Sequence, residues 1–435
     1  MTTYLYPDKQ EWSEIIKRPT FDNSELRDLV AGLLLQIREG GDKVLRELEA
    51  KFDHCVLTDL QVSADEFAEA RHQIDPQLAK AIDNAYHNIA RFHESQKFEG
   101  HPVETQPGVV CWQKSIPIDK VGLYIPGGTA PLFSTVLMLA IPAKIAGCQE
   151  IVLCTPPNAE GKVNPAILYA ATVAGVTKVY KVGGVQAIGA LAYGTESVPK
   201  VYKIFGPGNQ FVQMAKQLVS LRDVAIDMPA GPSEVCVVAD KDADPEYVAS
   251  DFLSQAEHGA DSQAILVTDS EDLAKRFEVV MAKQLEQLKR QELTRKSLEH
   301  SKVVVLHSQA DVMELVNEYA PEHLILNTAN YTELANQVRN AGSVFLGPYS
   351  PESAGDYASG TNHTLPTNGY AKAYNGVNLD SYMRKVTFQE LSAEGLRTLG
   401  PIIEVMAQNE QLDAHKNAVT VRLRALRGES VESKV

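Results

Sequence analysis

The chain lacks any apolar run long enough to cross a bilayer. Its most apolar stretch, Leu132 to Ile145, is shorter than the ~20 residues a spanning helix needs. The first residues, MTTYLYPDKQEW, hold no basic region followed by an apolar run. No secretory signal is visible, and a cytoplasmic protein with no membrane partner is expected. Cysteine is sparse: Cys55, Cys111, Cys148, Cys154 and Cys236 are widely spaced, with no C-x-x-C pair. An odd, scattered set is neither a disulfide framework nor a zinc ribbon, and such cysteines read as small buried hydrophobes. Positive charge is in deficit. A net charge of -15 repels phosphate backbones and argues against nucleic acid. It leaves room for one small anionic cofactor held by backbone N–H groups. There is no G-x-G-x-x-G, no G-x-x-x-x-G-K-[ST] and no H-E-x-x-H, so no short motif announces a nucleotide or zinc site.

What is present is a globular composition, 44% hydrophobic and 22% charged over 435 residues, which predicts two to four domains or subdomains. Up to about residue 100 the pattern is helical. Leu26, Val30, Leu33, Leu34 and Ile37 keep helical spacing, and Ala79 to Phe92 does the same. Ser63 with Glu66 reads as a capping box. From Val121 short apolar runs (KVGLYI, EIVLC, KVYKV, VYKIF, VAID) alternate with helical segments. After Met228-Pro229-Ala230-Gly231-Pro232-Ser233 the alternation restarts through EVCVVAD, AILVTD, KVVVLH, HLILN and SVFLG. Such alternation predicts parallel, doubly wound sheets. The fold class expected is α/β, with two doubly wound, incomplete Rossmann-like units and small helical segments at both ends. The boundaries read as 1–120 (helical, packing on the second unit), 121–230, 231–380 and 381–435. The tail is read as helical from Thr387, with Thr387 and Glu390 as a capping box. Its last helix aligns Leu412, His415, Val419, Leu423 and Leu426 on a face that must dock on something.

Four strand-to-helix turns carry glycine, beginning at Tyr124, Lys181, Ile204 and Met228. Glycine there lets backbone approach a ligand, and the following helix N-terminus favours anions. The same pattern also describes ordinary βα turns. Of the 11 histidines, four stand in distinctive contexts. His258 ends a helix with Gln255 one turn earlier, so both can point one way. His323 follows Glu322 at a loop–strand junction, an adjacent pair able to serve as acid and base or to sit idle at a surface. His363 shares a polar loop with Asp356. His415 lies on the apolar stripe, where a lone histidine reads as core. Histidine and carboxylate suit zinc or a similar ion, although the spacing carries no signature.

Seven segments together resemble the histidinol dehydrogenases: KVGLYIPGGTAPLFSTVLMLAIPAKIAGC, KIFGPGN, AIDMPAGPSEV, SQAEHG, APEHL, GPYSPESAGDYASGTNHTLPT and AHKNAV. The resemblance spans nearly the whole chain and is weakest over the first twenty or so residues. It implies that Gln255, His258, Asp356 and His415 bind one Zn2+ per subunit, and that Glu322 and His323 are the catalytic pair. It implies that Ser233, His363 and Glu410 contact L-histidinol, along with His323 and the metal ligands. Tyr124, Gln186 and Asn209 would line an NAD site in the 121–230 unit. It further implies an intertwined homodimer in which Glu410 and His415 act in the partner's site. Oxidising a primary alcohol to a carboxylate removes four electrons, so two NAD are used in turn. His323 would take the alcohol proton and Glu322 would activate the water that adds to the aldehyde. The metal would hold substrate rather than polarise the alcohol. Three rivals are weighed against this. The first is an aldehyde dehydrogenase-like route through a thioester on Cys148 or Cys154. The second is a metal-dependent hydrolase with Glu322 as base, and the third is a two-lobed solute-binding protein.

Overall fold

The structure, a computed structural model, describes residues 1–19, 24–127 and 130–429. Gly128 and Thr129 of the first glycine turn lie outside the described residues. Strand β1 (Thr2–Leu5) opens the chain, and β2 (Val103–Gln106) and β3 (Val109–Pro117) follow a helical stretch. The first α/β run holds β4 (Lys120–Tyr124), β5 (Glu150–Thr155), β6 (Lys178–Lys181), β7 (Lys203–Phe205) and β8 (Ala225–Ile226). The second holds β9 (Glu234–Ala239), β10 (Gln263–Thr268), β11 (Lys302–Val305), β12 (His323–Asn327) and β13 (Ser343–Leu346). Strand β14 (Met383–Leu391) begins the tail.

Two parallel sheets result. One has the order β6-β5-β4-β7-β8, the other β1-β11-β10-β9-β12-β13. Strand alternation sends successive side chains to opposite faces. In the five-stranded sheet Val121, Leu123, Ile151 and Leu153 enter one core, while Tyr124, Val152 and Cys154 enter the other. In the six-stranded sheet Val235, Val237, Ala264 and Leu266 face one way, and Cys236, Val238, Ile265 and Val267 the other. Both faces are therefore covered, as a parallel sheet requires. Each sheet reverses its build order once, between β4 and β7 in the first and between β9 and β12 in the second.

Helix ends follow local chemistry. The Ser63–Glu66 capping box forms as expected, with Ser63 Oγ accepting from Glu66 N at 3.2 Å and Glu66 Oε2 from Ser63 N at 2.9 Å. Gly147 and Gly175 close the Phe133–Ala146 and Pro165–Ala174 helices in the left-handed region.

Three expectations are corrected. The N-terminal helices pack on the first sheet's layers, not on the second unit: Ser24–Phe52 lies on Gly184–Tyr193 and Gln210–Ser220, and Ala64–Gln73 and Pro76–Glu94 lie on the Pro165–Ala174 and Phe133–Ala146 helices. Among the described N-terminal residues, β1, the short Trp12–Ile15 helix and Ile16 join the second sheet and its core, and Arg18 reaches Glu234 of β9. Residues read as the end of a helical segment are strands β2 and β3, with β14 antiparallel to β3. Thr387 and Glu390 are strand residues, because β3 supplies the pairing that overrides local propensity. The cap of the next helix, Ala393–Asn409, is Ser392, whose Oγ accepts from Gly395 N at 3.0 Å. Contacts divide the chain into one unit of Met1–Gln96 with Ile118–Tyr382, and another of Lys97–Pro117 with the chain from Met383 onward.

Candidate active site

Two regions of the larger unit collect the chemistry. At the carboxyl ends of the first sheet's strands, beside the β4/β7 reversal, lies a cavity of about 960 Å³. Tyr124, Thr155, Gly184, Gln186 and Asn209 help line it, in the place where open α/β sheets hold ligands. Gly184 adopts φ +52, which a side chain would resist. Its N–H donates to the Tyr124 hydroxyl at 3.1 Å. The Gln186 amide is buried and donates to Glu49 Oε1 at 3.1 Å. Asn209 caps the Gln210–Ser220 helix, its Oδ1 accepting from Phe211 N and Val212 N at 3.1 Å each. Behind this edge a buried ion pair, Lys216 Nζ to Asp227 Oδ1 at 2.6 Å, holds the Gly206 turn. Lys216 donates to Gly206 O at 2.7 Å, and Asp227 Oδ2 accepts from Gly206 N at 2.8 Å.

The second region sits at the amino ends of β9 and β12. The Gln309–Tyr319 helix ends at Ala320 with φ 50, a strained value for a residue with a Cβ. Pro321 and Glu322 then deliver His323 as the first residue of β12. Glu322 Oε2 accepts from Glu234 N at 2.8 Å, and His323 Nδ1 lies 3.2 Å from Glu234 O. The β9 backbone thus holds both members of the pair. Arg18 pins this junction, reaching the Glu234 carboxylate at 2.6 and 2.7 Å and the Tyr319 carbonyl at 2.7 Å.

His323 Nε2 has no hydrogen-bond partner and points to Asp356 Oδ1, 3.5 Å away. Ligand atoms of His258, Glu352 and Asp356 lie within 4.8 Å of one another. Gln255, fully buried, turns its amide nitrogen to the Glu352 carboxylate and its oxygen to the Glu234 N–H at 3.0 Å. His363 Nδ1 meets the Asp356 carbonyl at 2.8 Å, and its Nε2 meets Thr135 Oγ1 at 3.1 Å. Ser233, half-buried, immediately precedes Glu234.

Charge is concentrated here. Burial pushes the Glu322 carboxyl up to about 8, and raises Glu352 well above the usual carboxylate range. Asp356 stays low despite burial, because His323, His363 and His258 surround it. Burial, only partly offset by Asp356, pulls His258 and His363 below the ordinary imidazole range. For His258 this holds although the residue keeps an open face to solvent. Both imidazoles thus favour the neutral form, and that of His258 can ligate.

Of the residues singled out in the sequence, Gln255, His258, Asp356, Glu322, His323, Ser233 and His363 gather around β9 and β12. Tyr124, Gln186 and Asn209 gather at the cavity. Asp356 lies on a short helix, Glu352–Tyr357, not in a loop. The same helix brings in Glu352, which sequence reasoning missed. Its signal was the Glu352–Asp356 spacing of one turn. Glu410 and His415 belong to the smaller unit, and both are exposed there. On the apolar stripe of the Asp413–Leu426 helix only Leu423 is buried, so the expected burial of His415 does not occur within a single chain. Cys148 and Cys154 are buried, and burial pushes both thiols up, leaving poor nucleophiles for a thioester route.

A cavity at one sheet's reversal and a buried acid–imidazole cluster at the other's make this an α/β enzyme, and comparison with known proteins makes it an oxidoreductase. The family model described as histidinol dehydrogenase matches residues 16–423. A histidinol dehydrogenase of Bacteroides fragilis strain YCH46 is 63% identical over 427 residues, covering 98% of this chain and 100% of that one. That of Escherichia coli K12 is 52% identical over 421 residues, 96% of each. The crystal structure of the Elizabethkingia anophelis histidinol dehydrogenase superposes with a TM-score of 0.96 at 51% identity, over 98% of this chain and 99% of that one. The chain belongs to the histidinol dehydrogenase family. Among the described residues no helix is long and apolar enough to cross a membrane.

Proposed function

We propose that the chain oxidises L-histidinol to L-histidine by way of L-histidinaldehyde, the last steps of histidine biosynthesis, with NAD as oxidant and one zinc ion per subunit. The observation that carries the reading is the buried Glu322–His323 pair set against His258, Glu352 and Asp356 in a chain of this family.

The residues present fit both groups. Neutral imidazole and carboxylate donors suit zinc, and the buried Gln255 amide lies against the Glu352 carboxylate. The cavity has the size of a cofactor site, and Gly184, Val185 and Gln186 at the start of the Gly184–Tyr193 helix line it. When bound, the cation would anchor the substrate's imidazole and amine, and each NAD would accept two electrons as hydride. Every other task falls to side chains. His323 donates from Nδ1 to the Glu234 carbonyl. Burial opposes its charge, but Glu352, Glu322 and Asp356 outweigh burial and push the imidazole up to about 10. Nε2 therefore takes the alcohol proton from the neutral form, favoured once those carboxylates are engaged by a cation. The imidazolium so formed faces Asp356. Glu322 takes a proton from the water that adds to the aldehyde, and His323 serves again in the second oxidation. Ser233 and His363 flank the place where substrate is held.

Glu410 and His415 would complete the partner's site in a homodimer with exchanged tails. In support, Ile402, Val405, Met406 and Leu412 are exposed beside them. We place the enzyme in the cytoplasm, where five free cysteines remain reduced. The test is an assay with histidinol and NAD that counts reduced nicotinamide per histidinol consumed. Two are expected. A count of one, or no reaction, overturns the reading. Mixing His415→Ala with Glu322→Gln subunits is expected to restore part of the activity through heterodimers. No restoration overturns the shared site.

A further inference from the structure

The N-terminal helix Ser24–Phe52 contributes more than packing. It breaks at Gly41, where φ is 54 and ψ -143. The segment after the break is stapled to the loop that follows the Gly184–Tyr193 helix. Asp42 N donates to Glu196 Oε2 at 2.8 Å, and the Asp42 carboxylate accepts from Thr195 Oγ1 at 2.6 Å and Ser197 N at 3.2 Å. Two turns later the same segment delivers Glu49 to the opposite end of that helix. Glu49 is completely buried. Its Oε1 accepts from Gly183 N at 3.0 Å and from the Gln186 amide at 3.1 Å. A Cβ built on Gly183 would lie 3.1 Å from Asp53 Oδ2, so Asp53 closes the same turn from the cavity side, which it lines.

Glu49 Oε2 is buried and has no hydrogen-bond partner. The nearby ammonium of Lys181 is given to Glu66, at 3.0 Å. A buried, ionised carboxylate beside a second carboxylate is costly. A proton on Oε2 removes that cost and supplies the missing donor toward Asp53. Burial and Asp53 both favour this form, pushing Glu49 up to about 8.

We propose that Glu49 is a positioning residue of the dinucleotide site. It fixes the Gln186 amide and the Gly183–Gly184 turn from behind, as a protonated carboxyl bonded to Asp53. The N-terminal helix thereby forms the rear wall of the cofactor cavity. The proposal rests on the reading of that cavity as the NAD site.

The test varies NAD and histidinol separately with the full-length enzyme, and measures NAD binding directly by calorimetry. Glu49→Ala is expected to raise Kd and KM for NAD by about five- to tenfold, the scale of one lost hydrogen-bonded anchor. KM for histidinol and zinc content should stay unchanged. Glu49→Gln, which mimics the protonated acid, is expected to bind NAD within about twofold of the native enzyme, since the same bonds remain. Should Glu49→Ala not fold, Glu49→Asp, which withdraws the acceptor by one methylene, carries the same expected weakening. Unchanged NAD binding in the folded variants overturns the proposal, and so does equal damage from Glu49→Gln and Glu49→Ala. Gln186→Ala separates the two levels. If it too leaves NAD binding unchanged, the cavity is not the dinucleotide site. If it alone weakens NAD, the cavity reading stands and the role of Glu49 falls.

Discussion

The five-stranded and six-stranded sheets share strand polarity, winding and a core on each face, yet they use opposite ends. The first opens its cavity at the carboxyl ends of β4, β5, β6 and β7. Helices begin there, and their N–H groups and positive dipole ends suit an anionic cofactor. The second gathers its chemistry at the amino ends of β9 and β12. Helices finish there: Pro245–Ala256 runs out just before His258, and Gln309–Tyr319 just before Glu322. Their carbonyl ends suit a cation. On the proposed function, the rule that α/β sheets bind ligands at their carboxyl ends describes the first sheet and not the second. The reason is electrostatic, because a site that collects carboxylates, neutral imidazoles and a cation gains from the negative ends of helices.

That contrast makes separable predictions. The largest effect belongs to the second sheet alone: Glu322→Gln or His323→Asn is expected to lower kcat by about 10²- to 10⁴-fold with NAD affinity unchanged. A parallel loss of NAD affinity in calorimetry would show that the two regions are one. Next, Lys216→Met strands the buried Asp227 carboxylate behind the first sheet's Gly206 turn. The expected cost is about 3–5 kcal/mol of stability, read in urea unfolding. A cost under about 1 kcal/mol, the scale of an exposed pair, would mean that water reaches the pair. Glu352→Gln is expected to weaken divalent binding about 10- to 100-fold, as loss of a ligand or of its support does. Competition with a chromogenic chelator measures this without turnover, and native-like affinity would remove Glu352 from the cluster. The smallest effect is Asn209→Ala, expected to cost about 1 kcal/mol through its lost N-cap. Thermal unfolding checks it, and no loss would free Asn209 for the cofactor alone.

Much of this was legible in the sequence where the signal was local. The five apolar runs of each sheet carried their own alternation, and glycine and proline marked their edges. Gln255 and His258 were paired by helical spacing, and Ser63 with Glu66 by a capping box that forms. Local reading failed where a distant strand decided the outcome. Thr387 and Glu390 have the same capping pattern, yet pairing with β3 makes them strand. Strands β1 and β2 were missed because short edge segments carry little periodicity, and the nine-residue central strand β3 because it has no alternating buried face. Glu49 escaped notice because nothing near it in the chain marks a buried carboxylate, and Glu352 because its one-turn spacing from Asp356 counts only once that segment is helical.

The sequence by itself determined the two α/β runs, the absence of a membrane-spanning stretch and the family. It also singled out most of the residues gathered at the two strand ends. These follow from periodicity, composition and long motifs, all of which act over a few turns of chain. Only the tertiary structure decided which end of each sheet is used, which helices wall the cavity, and that Glu49 stands behind Gln186. It also decided that Glu352 stands beside His258 and that His415 is exposed in the single chain. Those outcomes depend on groups dozens to hundreds of residues apart. Burial and electrostatic pairing across that distance have no local signature in sequence.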